Sequence, residues 1–351
     1  MFLSVRTAWR LRQRLFGAAL PLLLLSGACT VTVENDDSSW GGNGDRWYTG
    51  GVRGQRDVTG EPDCVDVLAL DVAEQLAFLR TDAAEDRQHF TTVASVAGLE
   101  AYTPQDIDTS APVLDDRPYA GWLYAGVVRY DTQLDPDTLA RRDEETQVEL
   151  DVGIVGPASQ AEWAQDTLHE VFGLSEAEGW DHQLENELGV VLRGRRSVRA
   201  AYDELDPAEG LAFDALRRVG GAVGNVDTHA AVGGSLRLGY ELPRSFDVAG
   251  GDRSRLLPGR ARTGQEPASL FGYVDLEGRL VLRNIFLDGN TFRDSQDVDK
   301  QEVVGTLRVG VAWEWGAWRL GYGWTRRTDE FDSQPEDQSY GSFVVSWTPA
   351  G

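Results

Sequence analysis

The sequence predicts an all-β protein, a transmembrane antiparallel β-barrel of about twelve strands with a short loop helix. Three observations lead to this fold class. The chain opens with a secretory signal, segments of alternating apolar and polar residues recur almost to its end, and no apolar run reaches the roughly 20 residues that a membrane-spanning helix needs. If the chain crosses a membrane, it does so with strands, because a closed barrel also satisfies every backbone polar group in lipid.

Residues 1–28 form the predicted signal peptide. Arginines precede an apolar run, Leu15–Leu25, and the small residues at 26–28 suit an ordinary signal peptidase. A second interpretation stays open, because the residues up to Cys29 imperfectly match a lipoprotein box, which would place a lipid on that cysteine. The mature chain, residues 29–351, is expected to be a single outer-membrane β-barrel domain.

The mature chain is strongly acidic and poor in cysteine. The full sequence has 57 Asp and Glu against 33 Lys and Arg, a net charge of −24, and four of the arginines lie in the signal peptide. Such acidity argues against a nucleic-acid partner. Cys29 and Cys64 are the only cysteines, which excludes a disulfide framework and a thiolate metal cluster.

Twelve segments alternate apolar with polar or small residues and end in clusters of Asp, Asn, Gly or Pro. An even number of amphipathic strands behind a signal peptide is typical of an outer-membrane barrel. The predicted strands are Thr30–Asn35, Arg46–Arg53, Phe90–Tyr102, Tyr119–Tyr130, Thr146–Val155, Leu188–Tyr202, Leu211–Val219, Ala230–Tyr240, Leu270–Leu287, Glu302–Trp313, Trp318–Arg326 and Ser339–Trp347.

Aromatic residues near the predicted strand ends bear on the choice between a membrane barrel and a soluble, secreted β-sandwich. In a barrel these rings lie at the two lipid interfaces, whereas in a sandwich they form the core. The signal peptide and the strand count favour the barrel. The rings are those of Trp122, Tyr124, Trp313, Trp315, Trp318, Tyr322, Trp324 and Trp347.

Two segments are predicted not to be strands. Residues 56–88 form an acidic insertion whose apolar run, Val65–Leu79, we expect to be helical, and we assign it no chemistry. Residues 159–174 have the spacing of one amphipathic loop helix. Its apolar face, which we expect to pack against the barrel, consists of Trp163, Leu168, Val171 and Phe172.

Candidate chemistry lies on this helix and at the first strand. Gln165 and His169 are four residues apart and therefore project from the same side of the helix, and histidine is suited to removing a proton from water near neutral pH. Asn35 and Asp36 end the first strand, Thr49 opens the second, and their oxygen atoms are of the kind that binds calcium. A surface histidine and an ordinary hairpin turn remain the alternatives.

In this order and spacing, these segments resemble the lipid A 3'-O-deacylase (LpxR) family of outer-membrane barrels. The resemblance rests on the motif DDRPYAGWLYAG at 115–126, on GPAS at 156–159 before the loop helix, and on WDHQLEN at 180–186 after it. It covers nearly the whole mature chain.

The resemblance implies that the loop helix is extracellular and carries an active site. Asn35, Thr49, Gln165 and His169 would then be catalytic, and Asp36 with Asn35 would bind a calcium ion. The implied protein is an ester hydrolase that removes an acyloxyacyl chain from lipid A, the glycolipid of lipopolysaccharide. His169 would activate water, and calcium would stabilise the oxyanion.

Two absences in the sequence bear on that mechanism. The chain has neither the G-x-S-x-G motif of serine hydrolases nor the HExxH motif of zinc proteases, which favours water as the nucleophile. Some members of the family have an active-site lysine after the third strand, but residues 103–109 contain none. Arg117 is the nearest cation in sequence and the candidate to replace it.

Two other functions fit the same sequence. The first is a non-catalytic porin or surface-binding barrel whose loop helix plugs the lumen. The second is a calcium-dependent outer-membrane phospholipase with a serine nucleophile. Neither alternative removes the expectation of a barrel in the bacterial outer membrane.

Overall fold

A computed structural model of the chain shows a closed, twelve-stranded antiparallel barrel, which confirms the predicted fold class. Consecutive strands pair with one another, and β12 (Gln338–Trp347) pairs with β1 (Cys29–Asn35) to close the sheet. The predicted signal peptide lies outside the described residues. The structure describes residues 29–35, 46–58, 63–79, 87–136, 143–172, 177–246 and 267–347.

The other strands and the helices follow the predicted order. The strands are β2 (Trp47–Asp57), β3 (Gln88–Thr103), β4 (Ala120–Leu134), β5 (Glu144–Val155), β6 (Glu187–Asp206), β7 (Leu211–Gly224), β8 (Asp227–Tyr240), β9 (Ser269–Asn284), β10 (Val303–Trp315) and β11 (Trp318–Arg327). The α-helices of the described ranges are α1 (Cys64–Gln75), α2 (Ala161–Phe172) and α3 (Ile285–Asp288). None of the helices described has the length and apolarity needed to span a membrane.

The barrel has two rims that carry different elements. The connections after β1, β3, β5, β7, β9 and β11 share one end, which we call the upper rim, and α2 and α3 lie there. The strand ends Cys29 and Trp347 lie at the opposite end, the lower rim, together with α1. Antiparallel pairing alone fixes this separation, because every strand reverses the direction of the one before it.

Strand register places apolar side chains outside the wall and charged side chains inside it. Leu236 of β8 pairs with Val274 of β9, and both are exposed on the outer face. One residue along, Asp275 pairs with Arg308 of β10, and both are buried in the lumen. Side chains alternate between faces along a strand, so a slip of one residue would exchange the two sets completely.

Paired charges fill the middle of the lumen. Arg53 forms two hydrogen bonds to Glu149, each 3.1 Å long, and Arg308 Nη1 lies 2.8 Å from Asp275 Oδ2. All four residues are buried, and a buried charge is tolerated when it is paired in this way. A cavity of about 160 Å³ remains among the luminal side chains.

The sequence prediction was wrong at two places near the upper rim. The predicted strand Leu270–Leu287 ends at Asn284, whose side chain accepts a hydrogen bond from Phe286 N and so starts α3. Trp122 and Tyr124, predicted at the lipid interface, are buried inside the barrel, in one cluster with Phe286. Alternation identifies two faces of β4, but it does not say which face is the lumen.

Tryptophans form an outward ring at the lower rim, as predicted for a lipid interface. Trp315 pairs with Trp318, and Trp318 pairs with Trp347, so neighbouring strands carry these rings at one level. We call Trp313, Trp315, Trp318 and Trp347 the tryptophan belt. The indoles of Trp313 and Trp315 stack at a centroid distance of 6.1 Å.

The acidic insertion is shorter than predicted, but it is helical. Arg56 belongs to β2 and Gln88 to β3, so the connection occupies residues 58–87 rather than 56–88. The helix predicted within Val65–Leu79 is present as α1, followed by a 3₁₀ turn, Leu76–Leu79.

Helix α2 is the predicted loop helix, with its start two residues later than expected. A 3₁₀ turn, Pro157–Ser159, precedes it, and the described part of the predicted range 159–174 ends at Phe172. Helix α2 contacts β3 and β4, where a Cβ on Gly121 of β4 would overlap Ser159 Oγ and Ala161 Cβ. Only a glycine at this position allows the helix start to lie directly on the wall.

We predict that Gly121→Ala loosens α2 without preventing barrel formation. The added methyl group must displace the helix start, at a cost of roughly 1–3 kcal/mol. In the folded protein, cleavage by a glutamate-specific protease at Glu162 and Glu170 should become severalfold faster. Gly194→Ala is the matched control, because a Cβ on this strand glycine meets no atom within 4 Å. Equal cleavage rates in both variants would contradict the prediction.

Candidate active site

Helix α2 buries its polar face. Gln165 and His169 are each 4% exposed, whereas Leu168 is 52% exposed and Trp163 is half-buried. The prediction that an apolar face including Leu168 seats the helix was therefore wrong. The expectation that Gln165 and His169 share one side of the helix agrees with their common burial. The side chains of Val171 and Phe172 lie outside the described part of the chain.

Small and aromatic side chains seat the helix instead. Ala161 packs in a buried cluster with Tyr119 and Trp180, whose rings lie 5.0 Å apart. Leu99 and Ala101 of β3 pack against the same cluster. Leu99 pairs with Val52, which in turn pairs with the exposed Val33, so this side of β3 is the outer face of the wall. Helix α2 therefore lies outside the barrel.

A tryptophan fixes the amide of Gln165. Trp180 Nε1 donates a hydrogen bond of 2.8 Å to Gln165 Oε1. An indole nitrogen can only donate, so its partner must be the amide oxygen, and this settles which way the amide points. Gln165 Nε2 is buried and has no hydrogen-bond partner. The structure thus leaves the oriented Nε2 amino group without a partner, on the same side of the helix as His169. The sequence pattern had not assigned Trp180 this contact.

The barrel contributes hydroxyl groups from β2 and β3. Thr49 Oγ1 and Thr103 Oγ1 lie 2.8 Å apart, and both residues are buried. The β2–β3 register shifts between Tyr48 and Gly50, so Thr49 is the extra residue of a bulge. Bulges redirect side chains, and they are frequent beside active sites. Thr103 was missed in the sequence, where its position as the last residue of a strand was its only distinguishing feature.

Asn35 lies next to these hydroxyl groups along the sheet. It is the last residue of β1 and pairs with Gly50 on one side and Gly341 on the other. Strand pairing therefore brings Asn35 beside Thr49, as the sequence predicted from their positions at two strand ends. Asp36, the other predicted calcium ligand, lies outside the described residues.

The two halves of the candidate site meet on one surface. Leu99, Ala101 and Thr103 alternate along β3 and so project from the same outer face. The first two contact the cluster under α2, and the third contacts Thr49. The part of the wall that α2 covers therefore continues directly into the hydroxyl pair at the upper rim.

Oxygen donors, rather than a cluster of acidic residues, mark this surface. Within the described ranges no group of three or more His, Cys, Asp or Glu residues could hold a metal ion. The amide of Asn35 and the hydroxyls of Thr49 and Thr103 are neutral donors of the hard type that calcium accepts. They suit calcium by their chemistry, with the carboxylate of Asp36 next in the chain.

Acidic residues give the neighbourhood of α2 a negative charge. The pKa of Glu162 is raised, mainly because burial disfavours its charged form and further because the carboxylates of Asp166 and Asp181 lie near it. The start of the helix is thus an unfavourable place for a further unpaired anion.

Arg117 does not take the place of the family's lysine on this surface. The residue is fully buried, and its guanidinium lies 5.3 Å from the ring centre of Tyr102 and 5.8 Å from that of Phe331. It also donates a hydrogen bond of 3.2 Å to Glu330. Tyr102 stacks on Phe286 at 4.0 Å on the luminal side, so Arg117 helps to close the upper mouth of the lumen.

The position of α2 also bears on the porin alternative. That hypothesis expected the loop helix to plug the lumen, but α2 lies on the outer face of the wall. The upper mouth is instead filled by Phe286, Tyr102 and Arg117. The candidate site consequently lies on the outer side of the barrel wall, where lipid surrounds a membrane protein.

Comparisons with known proteins agree with this architecture. The family model described as outer membrane protein LpxR matches residues 18–349. LpxR from Salmonella typhimurium, a solved structure, is 20% identical, with a TM-score of 0.70 over 92% of this chain and 100% of that one. The β domain of the Bordetella autotransporter BrkA is 9% identical, covering 92% and 99%, and its TM-score of 0.44 is too low to carry an argument. No curated protein sequence matches the chain.

The family model extends over nearly the entire sequence, and the fold is similar to that of the solved LpxR structure. The chain belongs to the LpxR family of outer-membrane proteins.

Proposed function

We propose that this protein is an outer-membrane ester hydrolase that removes an acyloxyacyl chain from lipid A. The observation that carries the proposal is a buried Gln165–His169 face held against the outside of the barrel wall. A site on the outer face is open to lipids that diffuse in the membrane, whereas a luminal site would be reached from water. We place the upper rim, and so α2, at the outer leaflet, because the resemblance to the LpxR family implies an extracellular loop helix.

In the proposed reaction His169 is the general base. It takes a proton from water, the water oxygen bonds to the acyl carbonyl carbon, and the ester C–O bond then breaks. The proton passes from His169 to the departing sugar oxygen, so that free fatty acid and a hydroxyl group result. Histidine suits both proton transfers near neutral pH.

Gln165 is proposed to be a hydrogen-bond donor in this reaction. Its Oε1 accepts a hydrogen bond from Trp180, and its Nε2 has no hydrogen-bond partner. We assign Nε2 the role of a donor to the acyl carbonyl oxygen, where negative charge develops. A preoriented donor of this kind commonly contributes a factor of about 10²–10³ to the rate.

Asn35 and Asp36 are proposed to hold a calcium ion, whose chemistry there is to neutralise negative charge on the acyl oxygen. Thr49 and Thr103, joined by a hydrogen bond, hold the rim of the wall beside Asn35 in a fixed arrangement. The calcium ion would also offset repulsion between the acidic surroundings of Glu162 and the phosphates of lipid A.

We predict that His169→Ala abolishes deacylation while the barrel still forms. Loss of a general base commonly lowers the rate by about 10²–10⁴-fold. The measurement is mass spectrometry of lipid A from cells that produce the wild type or the variant, which reports reaction, substrate and position together. Glu170→Gln, a change at the exposed neighbouring residue, should leave the lipid A product unchanged. Lipid A that still loses the acyloxyacyl mass in His169→Ala would exclude the proposed base.

Removal of calcium should have a comparable effect on the wild type. A chelator specific for calcium is expected to stop deacylation by the purified protein in mixed micelles, and added calcium to restore it. Asp36→Asn should require a much higher calcium concentration, because one anionic ligand is lost. Asp337→Asn, at a half-buried residue of the same rim that pairs with Arg326, should respond like the wild type. Full activity in the chelator would show that the reaction needs no calcium.

Trp180→Phe should lower kcat and leave KM nearly unchanged. The substitution preserves an aromatic ring beside Tyr119 but removes the N–H that orients Gln165. The freed amide can rotate but is still present, so we expect kcat to fall about tenfold, less than the roughly 10²–10³-fold effect of removing such a donor. Trp313→Phe is the control, since that indole lies in the tryptophan belt at the opposite rim. A rise in KM alone would indicate a role in substrate binding instead.

A further inference from the structure

Helix α1 lies against the outer face of the barrel at the lower rim. Ala69 and Ala73 are buried in a cluster with Val93 of β3, and Val127 of β4 packs against the same cluster. Val93 is separated from the outward Leu99 by an even number of residues, so it also projects outward. The helix is therefore outside the wall, like α2, but at the opposite end of β3 and β4.

Charged contacts fix the orientation of α1. Asp63 caps its N-terminus by accepting hydrogen bonds from the backbone N–H groups of Val65 and Asp66. Arg56, which points outward from β2, lies 3.0 Å from Asp63 and 2.6 Å from Asp66. The hydrogen bond from Arg56, followed by that from the backbone of Asp66, lowers the pKa of Asp63 to about 2. The helix start is thus tied to the wall.

One flank of this helix is apolar and uncovered. Val65 is 45% exposed and Leu68 63%, and with Val72 they follow the spacing i, i+3, i+7 along one side. Phe78, 76% exposed, extends this apolar surface into the 3₁₀ turn. Soluble surfaces seldom carry so many large apolar side chains together, and such a patch usually marks an interaction surface.

The height of α1 on the barrel identifies what covers that flank. Strand pairing connects Trp318 of the tryptophan belt with Trp347, then Cys29, then Arg56, all on the outer face. Arg56 binds the start of α1, so this end of the helix lies at the same rim as the belt. Outward tryptophans mark the lipid interface on β10, β11 and β12, and α1 lies at that rim on β3 and β4.

We propose that α1 is an interfacial membrane helix whose apolar flank enters the lipid leaflet at the lower rim, so that it continues the tryptophan belt around the barrel. The occupant is the acyl-chain region beneath the lipid headgroups. Helix α1 and its 3₁₀ turn, residues 64–79, contain no Lys or Arg. Binding therefore rests on apolar burial, and a zwitterionic lipid suffices, unlike the anionic lipid that basic interfacial helices prefer. This proposal is independent of the enzymatic function.

The test uses the full mature protein in vesicles of zwitterionic phosphatidylcholine, a small fraction of which carries a photoactivatable diazirine in its acyl chain. After irradiation and digestion, mass spectrometry locates the lipid adducts. We expect adducts at Val65, Leu68 and Phe78, at yields comparable with those at Trp318, and none at Asp71. This mapping needs only the wild type, so it does not depend on whether a variant folds.

Two double variants then separate the flank from the rest of the helix. Leu68→Glu with Phe78→Glu should reduce adducts in residues 64–79 severalfold and leave those at Trp318 unchanged. The matched control is Asp71→Asn with Glu74→Gln, two exposed residues of the same helix whose change keeps every apolar side chain, and it should label like the wild type. Barrel formation is checked in each case by heat-dependent migration in gels.

Two results would overturn the proposal. The first is a wild-type protein labelled at Trp318 but not within residues 64–79, which would place α1 outside the lipid. The second is a dimer cross-linked through residues 64–79 of two copies, which would show that another chain covers the flank. Lipid adducts confined to Val65, Leu68 and Phe78 support the interfacial helix.

Discussion

Pairing between β1 and β12 is the constraint on which the rest of the structure depends. β1 has seven residues, and all of them pair on both sides, with Gln338–Trp347 and with Trp47–Asp57. An open edge in lipid would leave backbone N–H and C=O groups unsatisfied, at several kcal/mol for each group. Closure removes that edge. It also sets Asn35 beside Thr49 at the upper rim, and Cys29 beside Trp347 at the lower rim. A single strand register therefore fixes the positions of residues at both rims.

The outer face of β3 and β4 is used twice, and small side chains make both uses possible. At the upper end, Gly121 leaves room for the start of α2, and Ala101 lies under its buried cluster. At the lower end the small residues are on the helix, where Ala69 and Ala73 allow α1 to approach Val93. With large side chains on both the helix and the wall, each helix would lie farther from the barrel. The rest of the described wall exposes larger residues such as Leu236 to lipid.

Periodicity in the sequence predicted the strands well, but it predicted which faces are buried less well. Alternation identified all twelve strands, because each separates an apolar from a polar side. It misplaced Trp122, since a barrel with an apolar cluster near one mouth buries large rings on the luminal side as well. It misjudged Leu168 for a related reason. Helical spacing shows which residues share one face of a helix, but the surface on which the helix packs decides which face is buried. That partner includes Trp180, which lies beyond the helix in sequence and binds Gln165 through the fold alone.

The burial of a polar face in preference to Leu168 is opposite to what stability favours. A buried amide N–H without a partner costs roughly 1–3 kcal/mol, and an exposed leucine forgoes a further favourable contribution. Gln165 Nε2 is in that unsatisfied state, and Leu168 is more than half exposed. Structures retain such costs where a bound molecule can offset them. One kind of ligand, a lipid ester, would offset both the unsatisfied donor and the exposed leucine. Its carbonyl oxygen would accept a hydrogen bond from Gln165 Nε2, and its hydrocarbon chain would lie along Leu168 and the half-buried Trp163. That match between an unsatisfied donor and an adjacent apolar surface supports a lipid ester as the substrate.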